Sequence, residues 1–304
     1  MRKSTIVTAL CAAFLLPLHP ASAACGGHGN RDTMLVSTTW LADHLRDPNL
    51  VILSIGDQKD YDAGHIPGAL YVNYMDTHVM TSSANLTLEL LPEQEAAEVF
   101  AKLGVSNDSR IVLYFSNDWA SPTTRVFLTL DAMGLGAQTS LLDGGYPVWK
   151  KEGRPVSTEV RKVTPGKLVP CAQDDVIASL DYVRANLHHA GVDIIDARDP
   201  EYYSGAKAGR AKRAGHIPGA TNLTYSTLLD DNGKMKPREV LASMFQKAGV
   251  KPGDRVVSYC HIGQQATVIY FAARYLGFDA RLYDGSWEDW SAHADLPAET
   301  SPAK

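Results

Sequence analysis

A seven-residue segment occurs twice in this chain. Ala63-Gly64-His65-Ile66-Pro67-Gly68-Ala69 returns letter for letter as Ala214-Gly215-His216-Ile217-Pro218-Gly219-Ala220. Identity over that length is not a chance event. It constrains the fold more than any local propensity does, because each copy marks one structural unit and both units share one architecture. A second pair supports it: Asp143-Gly144-Gly145 leading to Trp149 matches Asp284-Gly285-Ser286 leading to Trp290 at the same spacing. The chain, 304 residues long, is therefore read as two homologous domains, as its length would also suggest.

Each half alternates strand and helix signals. The first has short apolar runs at Val51-Ile52-Leu53, Ile111-Val112-Leu113-Tyr114-Phe115 and Thr139-Ser140-Leu141-Leu142, with helical spacing from Thr124 to Met133. The second predicts a helix from Val176 to Leu187 and strands at Asp193-Ile194-Ile195, Arg255 to Tyr259 and Ala280-Arg281-Leu282-Tyr283. Strands alternating with helices imply an α/β class, each domain a parallel sheet with helices on both faces. Functional groups then gather at the carboxyl ends of the strands. We place the domains at 30–156 and 174–298. The segment 157–173, with Pro165-Gly166 and Pro170, reads as an extended linker.

The first residues read as a targeting segment. Arg2 and Lys3 precede an apolar run, Ile6 to Leu18, and Ala21-Ser22-Ala23 offers a small-residue cleavage site. Residues 1–23 are thus expected to be a signal peptide, and the mature protein to be secreted, periplasmic and without a membrane span. Cys25 raises lipid attachment, but Ser22 stands where Leu or Val is usual. A net charge of −5 gives no reason to expect nucleic acid. Of Cys11, Cys25, Cys171 and Cys260, the first leaves with the signal peptide. In an oxidising compartment, pairing Cys25 with Cys171 leaves Cys260 for chemistry.

Cys260 stands where a strand becomes a helix. Val256 to Tyr259 is an apolar, β-branched run; Val268, Phe271, Ala272 and Tyr275 recur at helical spacing, and Gly277 suits a left-handed stop. A helix start offers unpaired N–H groups and partial positive charge, and a loop curled around a sulfur can aim more N–H groups at it. Such surroundings favour a thiolate nucleophile. A buried core cysteine is the alternative.

At Cys260, Gly263 and Ala266 the chain resembles the rhodanese family of sulfurtransferases, whose nucleophile loop has the form Cys-x-x-Gly-x-x-Ala/Thr. The repeated Gly-His-Ile-Pro-Gly-Ala segments and the Asp-Gly turns before Trp extend the resemblance to a tandem arrangement. It implies a catalytic second domain and a non-catalytic first. The halves agree with this: domain 1 has Phe115 before Ser116-Asn117-Asp118-Trp119 in place of the cysteine loop, and Ser54-Ile55-Gly56 in place of Asp196-Ala197-Arg198. By the same resemblance Arg198 grips the anionic end of a sulfur donor, a task its bidentate fork suits. A salt bridge to Asp196 or Asp199 is the other reading. Asp196 is expected to support the arginine, and His261, Gly263, Gln264, Gln265 and Ala266 to surround the substrate. His261 departs from the Arg of many thiosulfate-active relatives and from the Gly common in mercaptopyruvate-active ones. His65 and His216 sit in identical turns, one of them in the half without chemistry, and are expected to be structural.

The implied reaction passes a sulfur from thiosulfate through a Cys260 persulfide to cyanide or a thiol, without metal or organic cofactor. A 3-mercaptopyruvate donor and a non-enzymatic sulfur carrier are the alternatives. A cysteine phosphatase would need Arg at the sixth position after the nucleophile, where Ala266 stands. Finally, Lys207, Arg210, Lys212 and Arg213 crowd a stretch with no counterpart in domain 1. They read as a solvated surface loop or, alternatively, as a positive rim that draws an anionic donor towards Cys260.

Overall fold

The computed structural model describes residues 31–117 and 120–301. In chain order the first half supplies strands β1 (Leu35–Val36), β2 (Leu50–Ile55), β3 (Leu70–Val72), β4 (His78–Thr81), β5 (Thr87–Leu90), β6 (Arg110–Phe115) and β7 (Thr139–Leu142). The second supplies β8 (Ile177–Ala178), β9 (Val192–Asp196), β10 (Thr221–Asn222), β11 (Arg255–Tyr259) and β12 (Asp279–Tyr283). Two parallel five-stranded sheets result, β1-β7-β6-β2-β3 and β8-β12-β11-β9-β10, while β4 and β5 form a separate antiparallel hairpin. The two orders are the same topology. Equivalent registers coincide as well: Ser54 lies opposite Tyr114 in the first sheet, and Asp196 opposite Tyr259 in the second.

The central strands are buried on both faces, which explains their unbroken apolar runs. The helix Ala266–Leu276 is more enclosed than a one-sided spacing predicts, since residues 266 to 274 are all buried. One side lies on its own sheet. Another meets the helix Ser121–Ala132 of the first domain, where Phe127 and Phe271 touch edge-to-face with centroids 4.9 Å apart. This contact is also polar. Thr124 and Thr267 share a 2.7 Å hydrogen bond, and Tyr270 donates to Asp131 at 2.6 Å. Arg274 pairs with the same carboxylate at 2.9 Å. Gly277, at φ 94°, ends the helix and donates to the Ala273 and Arg274 carbonyls.

The single helix expected from Val176 to Leu187 is instead β8 followed by a helix, Leu180–Ala185. The cause is Ser179, whose extended backbone and side-chain oxygen cap the Tyr182 N–H at 3.1 Å. Ser37 does the same for Trp40 in the first half. Residues 157–173 carry neither helix nor strand. They are nevertheless laid along the first domain: Ser157 pairs with His65, and Asn107 exchanges two hydrogen bonds with Val169.

Candidate active site

β11 delivers Cys260 at its carboxyl end, and the loop 261–265 leads into the helix beginning at Ala266. Gly263 has φ 79°, and a Cβ there would lie 2.7 Å from the Asp284 carbonyl oxygen, so the curl of the loop requires glycine. Among the described residues, the N–H groups of His261, Ile262, Gly263, Gln264 and Gln265 donate to no backbone carbonyl. A set of unspent donors suits an anion beside it. Cys260 is a free thiol, 1% exposed. Its backbone is held on both sides: its N–H donates to Ser286 Oγ at 3.2 Å, and its carbonyl accepts from the Trp287 N–H at 3.0 Å. The Glu288 N–H takes the His261 carbonyl at 3.0 Å.

Two buried guanidinium groups flank this loop. Arg198 is committed to Asp196 by its Nε at 2.9 and 3.1 Å and its Nη2 at 2.5 Å, with a further bond from Nη2 to the Gly215 carbonyl. Its plane lies near the Trp287 and Tyr259 rings. The salt-bridge reading of Arg198 thus describes the geometry, and the residue does not line the neighbouring cavity. Arg125 comes from the first domain. Its Nη1 reaches Asp284 Oδ1 at 2.5 Å and the Gly263 carbonyl at 3.3 Å, and its Nη2 donates to the Leu88 carbonyl. Burial works against charge on both arginines. For Arg125 the carboxylate of Asp284, then Tyr74 and Cys260, outweigh it; for Arg198 Asp196 does, with Tyr259 and Cys260 adding. Both stay cationic, and both attract a Cys260 thiolate.

His261 meets the Tyr202 ring edge-on at 4.6 Å. Burial, then the Arg198 charge, lower its pKa, so near neutral pH the imidazole is uncharged. Beside it lies a cavity of about 320 Å³ lined by Thr87, Tyr202, Arg210, His261, Ile262 and Glu288, among others. The four-charge rim reduces mainly to Arg210. Lys207 is paired with Glu201 at 2.7 Å. Arg213 is spent on the carbonyls of Trp290, Ser291, His293 and Leu296, where it closes the end of a helix. Lys212 is exposed and lines no part of this cavity.

Gln264 faces the first domain: its Nε2 donates to Ser121 Oγ and its Oε1 accepts from the Tyr74 hydroxyl, both at 3.1 Å. Gln265 Oε1 is buried without a partner among the described residues. Ala266, fully buried, opens the helix. His65 and His216 stack on Tyr61 and Tyr203, and each Nδ1 meets the carbonyl of the tyrosine it stacks on. Both are structural. Among the described residues no group of three or more His, Cys, Asp or Glu could hold a metal, and no helix is long and apolar enough to cross a membrane.

Sequence reasoning missed Arg125, Tyr74, Asp284 and Ser286. The last two stood in plain view in the repeated turn before Trp. Arg125 carried a weaker signal, a lone charge amid Val126, Phe127 and Leu128. Cys171 is disulfide-bonded. Its expected partner Cys25, the leader 1–23, and Asp118 and Trp119 lie outside the described residues.

A family model described as a rhodanese-like domain matches residues 37–152 and again 179–293. A thiosulfate sulfurtransferase of Azotobacter vinelandii is 31% identical over 270 residues, covering 88% of this chain and 97% of that protein. A sulfur carrier protein, TtuD, of Thermus thermophilus is 31% identical over 279 residues, covering 87% and 95%. Among solved structures, wild-type EanB superposes with a TM-score of 0.79 at 20% identity, over 89% of this chain and 70% of that one. YnjE gives 0.76 at 23% identity, over 89% and 69%. These two likenesses are of fold.

Proposed function

The chain belongs to the rhodanese family, with two rhodanese-like domains in tandem, and is a rhodanese-type sulfurtransferase; from that premise we propose that Cys260 carries the sulfur as a persulfide, with thiosulfate as donor. The Cys260 thiolate attacks the outer sulfur of thiosulfate. A Sγ–S bond forms, the S–S bond of the donor breaks, and its electron pair leaves with sulfite. Cyanide or a thiolate then attacks the outer persulfide sulfur, and the Cys260 thiolate departs. No redox partner is needed at either step.

One observation carries this reading: the loop 261–265, whose N–H groups are unspent, follows a free cysteine flanked by the cationic Arg125 and Arg198. Those N–H groups stabilise the thiolate before transfer and the terminal persulfide sulfur after it, with no reorganisation during reaction. Arg210, in the cavity beside His261, takes the sulfonate end of the donor, while Arg198 acts through Asp196 to hold the loop. Neutral His261 lends a hydrogen bond to the donor oxygens. A 3-mercaptopyruvate carboxylate would meet the same groups, and kinetics of the two donors side by side rank them.

Incubation with thiosulfate should add one sulfur atom to the intact mass and release one sulfite. Absence of that adduct in reduced, folded protein would end the proposal. The similarity to TtuD favours a second reading, a carrier that keeps its sulfur for a protein acceptor. A loaded protein that neither cyanide nor small thiols discharge would select it. We further infer export: residues 1–23 have the form of a signal peptide, and the Cys171 disulfide suits an oxidising compartment. A mature chain beginning at Ala24 is the expected product.

A further inference from the structure

Ser286 has φ 53°, a conformation that costs any residue with a Cβ. Its counterpart in the first domain is Gly145, at φ 56°, in the same turn of the repeated motif. There a Cβ would lie 2.8 Å from the Phe115 ring and carbonyl oxygen, so glycine is the residue that fits. The second domain has Cys260 in place of Phe115, and the backbone keeps its positive φ at this one position, yet the residue is serine. It is completely buried. Its hydroxyl donates to the Tyr283 carbonyl at 2.9 Å and accepts from the Cys260 N–H at 3.2 Å. Strain that persists at one position of a repeat, where its twin avoids it, points to a task there.

We propose that Ser286 is a positioning residue for the nucleophile: its hydroxyl ties down the Cys260 N–H and fixes the direction in which the thiol enters the donor loop. The Trp287 N–H already holds the Cys260 carbonyl, so the hydroxyl closes the second side of a clamp. With both peptide groups fixed, the Cys260 Cα–Cβ bond has one direction. A fixed attack geometry contributes to the chemical step rather than to donor binding. The Ser286 hydroxyl is kept from rotating away by its own bond to Tyr283, so the tie is pre-formed. The inference rests on sulfur transfer at Cys260, which the test below separates from it.

Ser286→Gly is the informative variant, because glycine adopts the positive φ without cost and folding is not in question. Relief of strain and loss of the hydroxyl bonds act on Tm in opposite directions, and the variant should melt within a few degrees of wild type. Its kcat with thiosulfate and cyanide should fall about 3- to 10-fold, the value of one hydrogen bond, with KM within about twofold. Ser286→Ala keeps the strain and loses the bonds, so it should show the same kcat and a lower Tm than the glycine variant. The Cys260 amide should exchange with solvent faster in both, a readout independent of sulfur transfer. Wild-type kcat in Ser286→Gly, or unchanged exchange at Cys260, would overturn the positioning role. An alanine variant as stable as the glycine one would remove the strain argument. If wild type itself moves no sulfur, the transfer reading fails, and exchange at Cys260 still decides whether the tie exists.

Discussion

Arg125 of the first domain reaches Asp284 of the second at 2.5 Å, with its own side chain wholly buried. Asp284 also accepts the Leu90 N–H at 2.9 Å, and the neighbouring Glu288 takes both the N–H and the hydroxyl of Thr87. The first domain therefore grips the turn that holds Cys260. It also lends a positive charge to the donor loop through the Gly263 carbonyl.

Arg125→Met should accordingly be costly, since it leaves a largely buried carboxylate without its partner. Breaking such a pair costs about 3–5 kcal/mol, whereas removing both partners is often near neutral. Adding Asp284→Asn to Arg125→Met should restore most of the urea-unfolding stability and little of the turnover. Equal destabilisation in single and double variants would mean that the ion pair is not what links the domains.

Cys260→Ser should fold normally and transfer no sulfur, because a hydroxyl ionises far less readily than a thiol and cannot hold a persulfide. Denatured, processed wild type should titrate one thiol and the variant none, given the Cys171 disulfide. Residual turnover above a tenth of wild type in this variant would move the chemistry elsewhere.

The fold was legible because both of its signals are local. The repeated turns gave the domain count, and buried parallel strands show as apolar runs such as Ile111 to Phe115. Cys260, Gly263 and Gly277 were legible for the same reason, since each serves its own loop or helix end. What could not be read depends on pairing across the domain boundary. Arg125 lies far along the chain from Gly263 and Asp284, and no period in the sequence connects them. The repeated turn pairs Ser286 with Gly145, but the positive φ of Ser286 is visible only in space. The basic stretch could not be resolved from sequence because composition does not tell Arg210, at a cavity, from Arg213, whose fork is already filled by four carbonyls.

That contrast is testable. Arg210→Ala should raise KM for thiosulfate with little change in Tm. A charge-assisted pair is worth about 1.5–3 kcal/mol, or roughly 10- to 150-fold, with the lower end expected for an exposed side chain. Arg213→Ala should do the reverse, lowering Tm while leaving KM near wild type. Neutralising Lys207 should change neither by much, as water screens its exposed pair with Glu201. An unchanged thiosulfate KM in Arg210→Ala would take that residue out of the donor site.

His78 supplies one component of the pH dependence of stability. It begins strand β4 of the hairpin and is buried, with Nε2 unpartnered among the described residues, and Tyr74 packs on its ring. Burial, then the charge of Arg125, lower its pKa to about 4, against partial compensation by Asp284. Above the ordinary value of about 6.5 it is neutral folded and unfolded, and contributes no slope. As pH falls from there towards 4, only the unfolded chain takes up the proton, so stability is lost on acidification. Asp193 acts with the opposite sign: its pKa is raised to about 6 by burial, then by Asp254, so the folded state takes up a proton first. The wild-type slope mixes these effects, and a variant isolates one. Between about pH 7 and pH 5, wild type should lose about 1 kcal/mol more than His78→Gln in urea unfolding, allowing for solvent screening. Parallel losses in the two proteins would show that His78 protonates as readily folded as unfolded, and that the Arg125 charge does not reach it.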